Sequence, residues 1–240
     1  WNHFVIVLNK EDGNVKFYKN GVLDSTYTTT QFPNVLTRDN NFIGAQHTGA
    51  SYLDGNIKSF NIWKRALSSL EVKYIYNQGR NFDIYSLAPK QIDDFELIRN
   101  IKHSIFFEPD NFQDRTGNST VTLHNSPTID SDGLNLVNAN SQYAKLDSTY
   151  IGDTLTFALW TNVTSTSSNY QRFFSFAEPG MTETIGFMQF GTSAFAFMDL
   201  KHGSTPQWSG IHNTNNLTYS INEWNHFVIV LNKEDGNVKF

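Results

Sequence analysis

The sequence predicts an all-β protein: an antiparallel β-sandwich of jelly-roll type, with one short helix and a connector. Three observations carry that expectation. Short runs rich in β-branched and aromatic residues recur along the chain, separated by turns of Gly, Asn, Asp and Ser. Hydrophobic residues make up 39% of the 240 and aromatic residues 15%, with 20 Phe and 10 Tyr, which is enough for a packed core. Charged residues reach only 17%. The polar surface therefore comes from Asn, Ser, Thr and Gln, as suits an extracellular β-protein.

The elements follow in order. Phe4 to Leu8 is an apolar, β-branched run. Glu11-Asp12-Gly13-Asn14 is a hairpin turn signal leading into Val15 to Tyr18. Asn20-Gly21 marks another tight turn. Thr26 to Thr30, Asn41 to Ala45 and Ile57 to Trp63 read as further strands. Residues 66–76 change character: Ser68 or Ser69 caps a short helix, Glu71 lies early in it, and Leu70, Tyr74 and Ile75 share a side. Gly79 stops it. Residues 81–103 read as a connector. Pro89 opens a helix there, with Ile92, Phe95, Ile98 and Ile101 recurring every three to four residues. That stripe packs on a neighbouring module or back on its own sandwich. Strands resume at 104–108, 135–136, 143–146, 155–160, 172–176, 186–190, 194–199 and 225–231.

One repeat overlies this pattern. Trp1 to Phe17 reads WNHFVIVLNKEDGNVKF, and so does Trp224 to Phe240, a period of 224 − 1 = 223 residues. Identical segments point to a window on a tandem array of near-identical modules.

Charge and composition exclude several functions. The formal net charge is −5, and no basic stretch is long enough to track phosphates, so nucleic acid is not an expected partner. No apolar run is long enough to span a membrane. Cysteine is absent, which removes thiolate metal sites and thiol chemistry.

Specific segments then point to a family. Leu155 to Trp160 (LTFALW) and Glu223 to Val230 (EWNHFVIV) resemble core strands of laminin-G-like jelly-roll domains, within the concanavalin-A-like lectin/glucanase superfamily. Val15 to Leu23 (VKFYKNGVL) is similar to the family's hairpin, and Phe42-Ile43-Gly44-Ala45 to its following strand. Tyr52 to Leu67 and Ser69 to Tyr76 resemble its closing strand and helix. Phe106 to Leu123 and Gly133 to Leu146 resemble its opening. In that order 1–80 is the C-terminal half of one module, 81–103 a connector, and 104–240 the N-terminal part of the next. An array is the expected arrangement. In a permutant the duplicated strands would compete for one slot.

The resemblance leaves function open, since the fold hosts lectins, enzymes and spacers. Glycanases of the superfamily carry closely spaced carboxylates alternating along one strand. No such run occurs, so no catalytic residue is assigned and no enzyme is expected. The loop Asp110 to Asn118 (DNFQDRTGN) is oxygen-rich, and the resemblance implies that such an opening loop holds a structural calcium, through Asp110, Asp114 and Asn118. Lys58 and Ser59 stand where the family often has an acidic pair. Without an ion the loop is an Asx-rich turn. The histidine shared by His3 and His226 reads as structural. Asn118, Asn162 and Asn216 head N-glycosylation sequons. Trp208, then Tyr170, are the aromatic candidates for stacking on a sugar.

The leading functional expectation is a structural repeat module of an extracellular or surface fibre, appendage or adhesin, whose partners are other copies of itself. The alternative is a carbohydrate-binding, lectin-like module with glycans as partners.

Overall fold

The computed structural model describes residues 2–9, 14–19, 21–28, 34–86, 97–152, 154–201, 209–210 and 217–231. Among these, the first part of the chain forms β1 (Asn2–Asn9), β2 (Asn14–Lys19), β3 (Val22–Thr28), β4 (Leu36–Arg38), β5 (Asn40–Ile43), β6 (Gly55–Trp63) and helix α1 (Ser69–Gln78). The second part forms β7 (Ile101–Phe106), β8 (Val121–His124), β9 (Thr128–Asp130), β10 (Gly133–Leu136), β11 (Tyr143–Leu146), β12 (Thr149–Ile151) and β13 (Leu155–Val163). It continues with β14 (Arg172–Ala177), β15 (Thr184–Gln189), β16 (Phe195–Lys201), β17 (Ser209–Gly210), β18 (Leu217–Thr218) and β19 (Trp224–Leu231).

Two large sheets form the sandwich. The first runs β3-β2-β1-β19-β13-β6-β10-β9, with β7 also on β6. The second runs β17-β16-β15-β14-β5-β11-β8, with β18 also on β16. Strands β12 and β4 make a small separate pair. The predicted all-β sandwich is thus the observed fold. Both halves of the chain build it: β6 pairs with β13, β7 and β10, and β5 lies between β14 and β11.

The duplicated strands occupy adjacent places in the first sheet. Strand β19 pairs antiparallel with β13. Strand β1 lies on the other side of β19 and runs parallel to it, Asn2 opposite Asn225 and Val5 opposite Val228. Each residue therefore faces its own duplicate. It is the one parallel strand pair among those described; β1 in turn pairs antiparallel with β2.

Strand side chains alternate between faces, so one set from each sheet points inward. Those sets are largely phenylalanine. Phe60, Phe157, Phe173, Phe174, Phe176, Phe187 and Phe227 are fully buried. Phe157 of the first sheet stacks on Phe174 of the second at 4.6 Å, and Phe227 meets Phe187 edge-on at 4.9 Å. Such contacts hold the layers together beyond simple area burial.

Helix α1 forms as its capping signals require. The Ser68 hydroxyl accepts from the Glu71 N–H, and the Glu71 carboxylate accepts from the Ser68 N–H at 2.8 Å. Arg65 also pairs with Glu71. The buried face is the expected one in part: Ile75 is buried, with Glu71 and Val72, and Tyr74 packs against the core, while Leu70 is 71% exposed. The capping box turns Glu71 inward and rotates Leu70 to solvent. The helix covers the outer side of the first sheet, where Tyr76 stacks over Trp160.

The connector is corrected in part. Pro89, Ile92 and Phe95 fall outside the described residues. Ile101 opens strand β7, not a helix, and Ile98 and Ile101 pack against the core of this same chain. Backbone pairing with β6 captures this end of the segment.

Candidate functional site

Alternation along β14, β15 and β16 also fixes what lies on the outer face of the second sheet. Phe174, Phe187 and Met198 point into the core. Ser175, Gly186 and Asp199, aligned across the three strands, therefore point out, as do Met188 and Phe197. These outward residues are nevertheless buried.

A cavity of about 770 Å³ opens on this face, lined by Gln46, Ser51, Tyr170, Arg172, Met188, Phe190 and Phe197. That volume lies within the range of small-ligand sites, roughly 300–1,000 Å³. Its floor is strand and its walls are loops. Residues 44–52 form one wall, pinned by Gln46 N–H to Ala50 O at 2.9 Å and by Arg172 N–H to Ser51 O at 3.0 Å.

The second wall carries Tyr170, and two buried glutamines hold it. The Gln171 amide donates to Ser165 O at 2.7 Å and accepts from the Asp54 N–H at 2.7 Å. The Gln189 amide donates to Ser168 O at 3.2 Å and Gly191 O at 2.7 Å, and accepts from the Tyr219 hydroxyl at 2.9 Å. Between them Tyr170 is held at φ 53°, a left-handed conformation that costs a bulky residue about 1–3 kcal/mol. The residue is 43% exposed, and its ring sits edge-on to Phe190 at 6.1 Å. Phe190 meets Phe197 in turn at 5.7 Å.

The polar part of the site is an ion pair. Arg172 Nη1 donates to Asp199 Oδ2 at 3.0 Å, with side-chain exposures of 4% and 11%. Gly186 lies between them in β15, and a Cβ there would come within 2.8 Å of Arg172 Nη1. The glycine leaves space for the guanidinium. Burial lowers the Arg172 pKa while Asp199 opposes that shift. Arg172 Nε is buried with no hydrogen-bond partner among the described residues. Next to the pair, His47 Nδ1 is 2.7 Å from the Ser175 hydroxyl. Burial first, and the Arg172 charge second, pull its pKa down to about 4, so the ring is neutral at pH 7.

The expected stacking residues divide. Tyr170 lines the cavity; Trp208 lies outside the described residues. Arg172, Asp199, Gln46 and Ser51 were not singled out in the sequence. The available signal was a charge inside an apolar run, in Arg172-Phe173-Phe174 and Met198-Asp199-Leu200. A charge there marks an outward or paired position.

The oxygen-rich loop has a different geometry. Asp114 Oδ1 accepts from the N–H groups of Ser104 and Thr116, at 2.9 and 3.1 Å. Its Oδ2 lies 2.8 Å from both His103 Nδ1 and the Thr116 hydroxyl. Those four contacts use the four acceptor positions of a carboxylate. Burial works to raise the Asp114 pKa, but hydrogen bonds from His103, Ser104 and Thr116 bring it below the usual range. Asp110 is exposed in the preceding turn, and the Asn118 amide donates to Lys102 O at 2.9 Å. Lys58 is 4% exposed, and its ammonium donates to Phe107 O at 3.3 Å and Ser131 O at 3.2 Å. No cluster of three His, Cys, Asp or Glu suited to a metal occurs among the described residues.

His103 Nε2 also lies 2.6 Å from the Thr149 hydroxyl. Carboxylate, imidazole and hydroxyl thus stand in series, but His103 and Thr149 are 0% and 1% exposed, so a substrate has no access. His226 is buried as well and stacks on Trp160 at 4.6 Å. Of the sequon residues, Asn118 is exposed after Gly117. Asn162 is half-buried within β13, between β6 and β19. Asn216 lies outside the described residues.

Residues 1–73 match the family model Laminin_G_3, described as the concanavalin A-like lectin/glucanases superfamily. The fold is a concanavalin A-like β-sandwich. No curated protein and no solved structure matches the chain. No described helix of this chain is long and apolar enough to cross a membrane.

Proposed function

We propose that this chain is an extracellular, lectin-like binding module that takes a neutral sugar ring in the cleft over β14, β15 and β16. The observation that carries the reading is the placement of Tyr170. A partly exposed ring is held in a costly backbone conformation at the mouth of an aromatic cleft, beside a buried Arg172–Asp199 pair. Strain held in place by surrounding hydrogen bonds is a mark of a binding site. A sugar presents an apolar C–H face, which suits Tyr170 and Phe190, and a hydroxyl edge, which suits Gln46, Ser51 and the free donors of Arg172. Because Asp199 neutralises Arg172, a neutral ligand fits better than an anionic one. None of the described lining residues is a carboxylate, and glycoside hydrolysis ordinarily uses two; binding without turnover is the favoured reading. A glycan array on the intact chain tests it. Binding that disappears in Tyr170→Ala supports the cleft, and silence on every glycan sinks it.

A second reading is a structural repeat module of a surface fibre, appendage or adhesin, partnered by its own copies. The in-register pairing of β1 with β19 favours it. Electron microscopy of the native material should show filaments; only dispersed particles would count against it.

A further inference from the structure

Strand β19 is held from both sides by strands with different claims on it. On one side β13 pairs with it antiparallel, from Leu155–Leu231 to Asn162–Trp224. On the other side β1 pairs with it in parallel. Strand β1 has the same sequence, residue for residue, with Asn2 to Asn9 matching Asn225 to Asn232. Whatever β13 recognises in β19 it must also recognise in β1. Moreover, β1 already carries an antiparallel partner, β2, on its far side. If β1 stepped over by one strand it would lie between β2 and β13, antiparallel to both. Parallel pairing is slightly weaker per residue, so the step replaces the weaker kind of pair with the stronger. The sheet stays closed while β19 is out.

We infer that β1 and β19 are interchangeable beside β13, and that β19 leaves as an arm to complete the sheet of a second copy of this chain. The partner is another copy because the slot between β13 and β1 is shaped for this one sequence. The exchange needs no unfolded intermediate with an open core, since β1 covers the edge of β13 in the donor. Its contacts are strand addition, in which backbone hydrogen bonds give affinity and side-chain register gives specificity. Phe227 shows what the register secures: it is fully buried against Phe173, Phe187 and Tyr219. The inference does not depend on sugar binding.

The natural chain has no cysteine, so introduced pairs report strand position without background. In the resting order Ala158 is opposite Val228, and Val5 lies one strand further out. Strands sit about 4.8 Å apart, so Val5 is roughly 10 Å from Ala158. A disulfide bridges Cα atoms up to about 7 Å apart. The variant Ala158→Cys/Val228→Cys should oxidise in any folded state and serves as the control. The variant Ala158→Cys/Val5→Cys should also oxidise, at monomer mass, because β1 visits the slot. Ala158→Cys chains mixed with Val228→Cys chains should give a disulfide at dimer mass, rising with concentration and absent from either variant alone. If the Ala158/Val5 pair stays reduced, or the mixture yields no dimer-mass product, the inference is overturned. The pair Thr161 with Asn225 or Asn2 repeats the test at a position of opposite hydrogen-bonding parity, should an Ala158 variant fail to fold.

Discussion

Arg172 reaches across strand β15 to meet Asp199, Nη1 to Oδ2, at 3.0 Å, and the residue it passes over is Gly186. A pair so buried is sensitive to losing one member. Asp199→Ala leaves an unpaired guanidinium inside and should cost about 3–5 kcal/mol, read from urea unfolding. Replacing both, as Arg172→Met/Asp199→Leu, should cost far less, because an apolar pair of similar volume carries no desolvation penalty. Equal losses in the two variants would show that charge is not the issue.

Gly186→Ala puts a methyl within 2.8 Å of the Arg172 Nη1 position. The clash is with the end of a flexible side chain, so the guanidinium shifts and the fold survives. Thermal stability should change by less than about 1 kcal/mol, while affinity for any cleft ligand falls. A variant that binds normally would remove Arg172 from the site.

Tyr170 should show stability and binding moving in different directions. Tyr170→Gly relieves the left-handed backbone at φ 53°. It should leave stability unchanged or raise it by up to about 1 kcal/mol, while removing the stacking ring. A clear drop in melting temperature would mean that the ring serves packing.

His47 gives a pH dependence. Its folded pKa is pulled to about 4, below the ordinary 6.5, so between those values the unfolded chain binds more protons than the folded one. Stability is therefore full above pH 6.5 and falls as pH drops toward 4. The group is half-buried, facing Ser175, Arg172, Asp199, Lys201 and Glu178. Screening limits the loss to the order of 1–2 kcal/mol. From pH 7 to 4 the melting midpoint of the natural chain should fall more steeply than that of His47→Gln, which has no titrating group at this position. Parallel curves would remove His47 from the effect.

Asp114 bears on the calcium expectation. An ion at Asp110, Asp114 and Asn118 would have to draw Asp114 away from His103, Ser104 and Thr116. Melting with and without chelator should therefore give one midpoint, since an ion bound to the native state would raise it. A rise on adding calcium would establish the loop as a metal site. His103→Leu should cost about 1–3 kcal/mol by leaving Asp114 and Thr149 short of a partner.

The sheet was legible in the chain because β-branched and aromatic runs between turn residues carry their own period. Val15 to Tyr18, Ile57 to Trp63 and Leu155 to Trp160 all fall within strands. The very short β4, β9 and β12 were not, since three residues hold no periodicity. Ile98 and Ile101 fitted helical spacing but took their places by pairing and packing with this chain, a tertiary effect that local spacing does not contain. The site was half visible. Tyr170 stood out as an aromatic in a polar loop. Gln46, Arg172 and Asp199 come together only through the order of β5, β14, β15 and β16, and that order is set by the whole sandwich.

Sugar binding in the cleft should depend on the Tyr170 ring. Calorimetric titration of the best array ligand into the natural chain and into Tyr170→Ala tests it most directly. Binding to the natural chain should be saturable and binding to the variant at least roughly tenfold weaker, the loss of about 1.4 kcal/mol expected for one stacking ring. Equal affinity in both chains would contradict it.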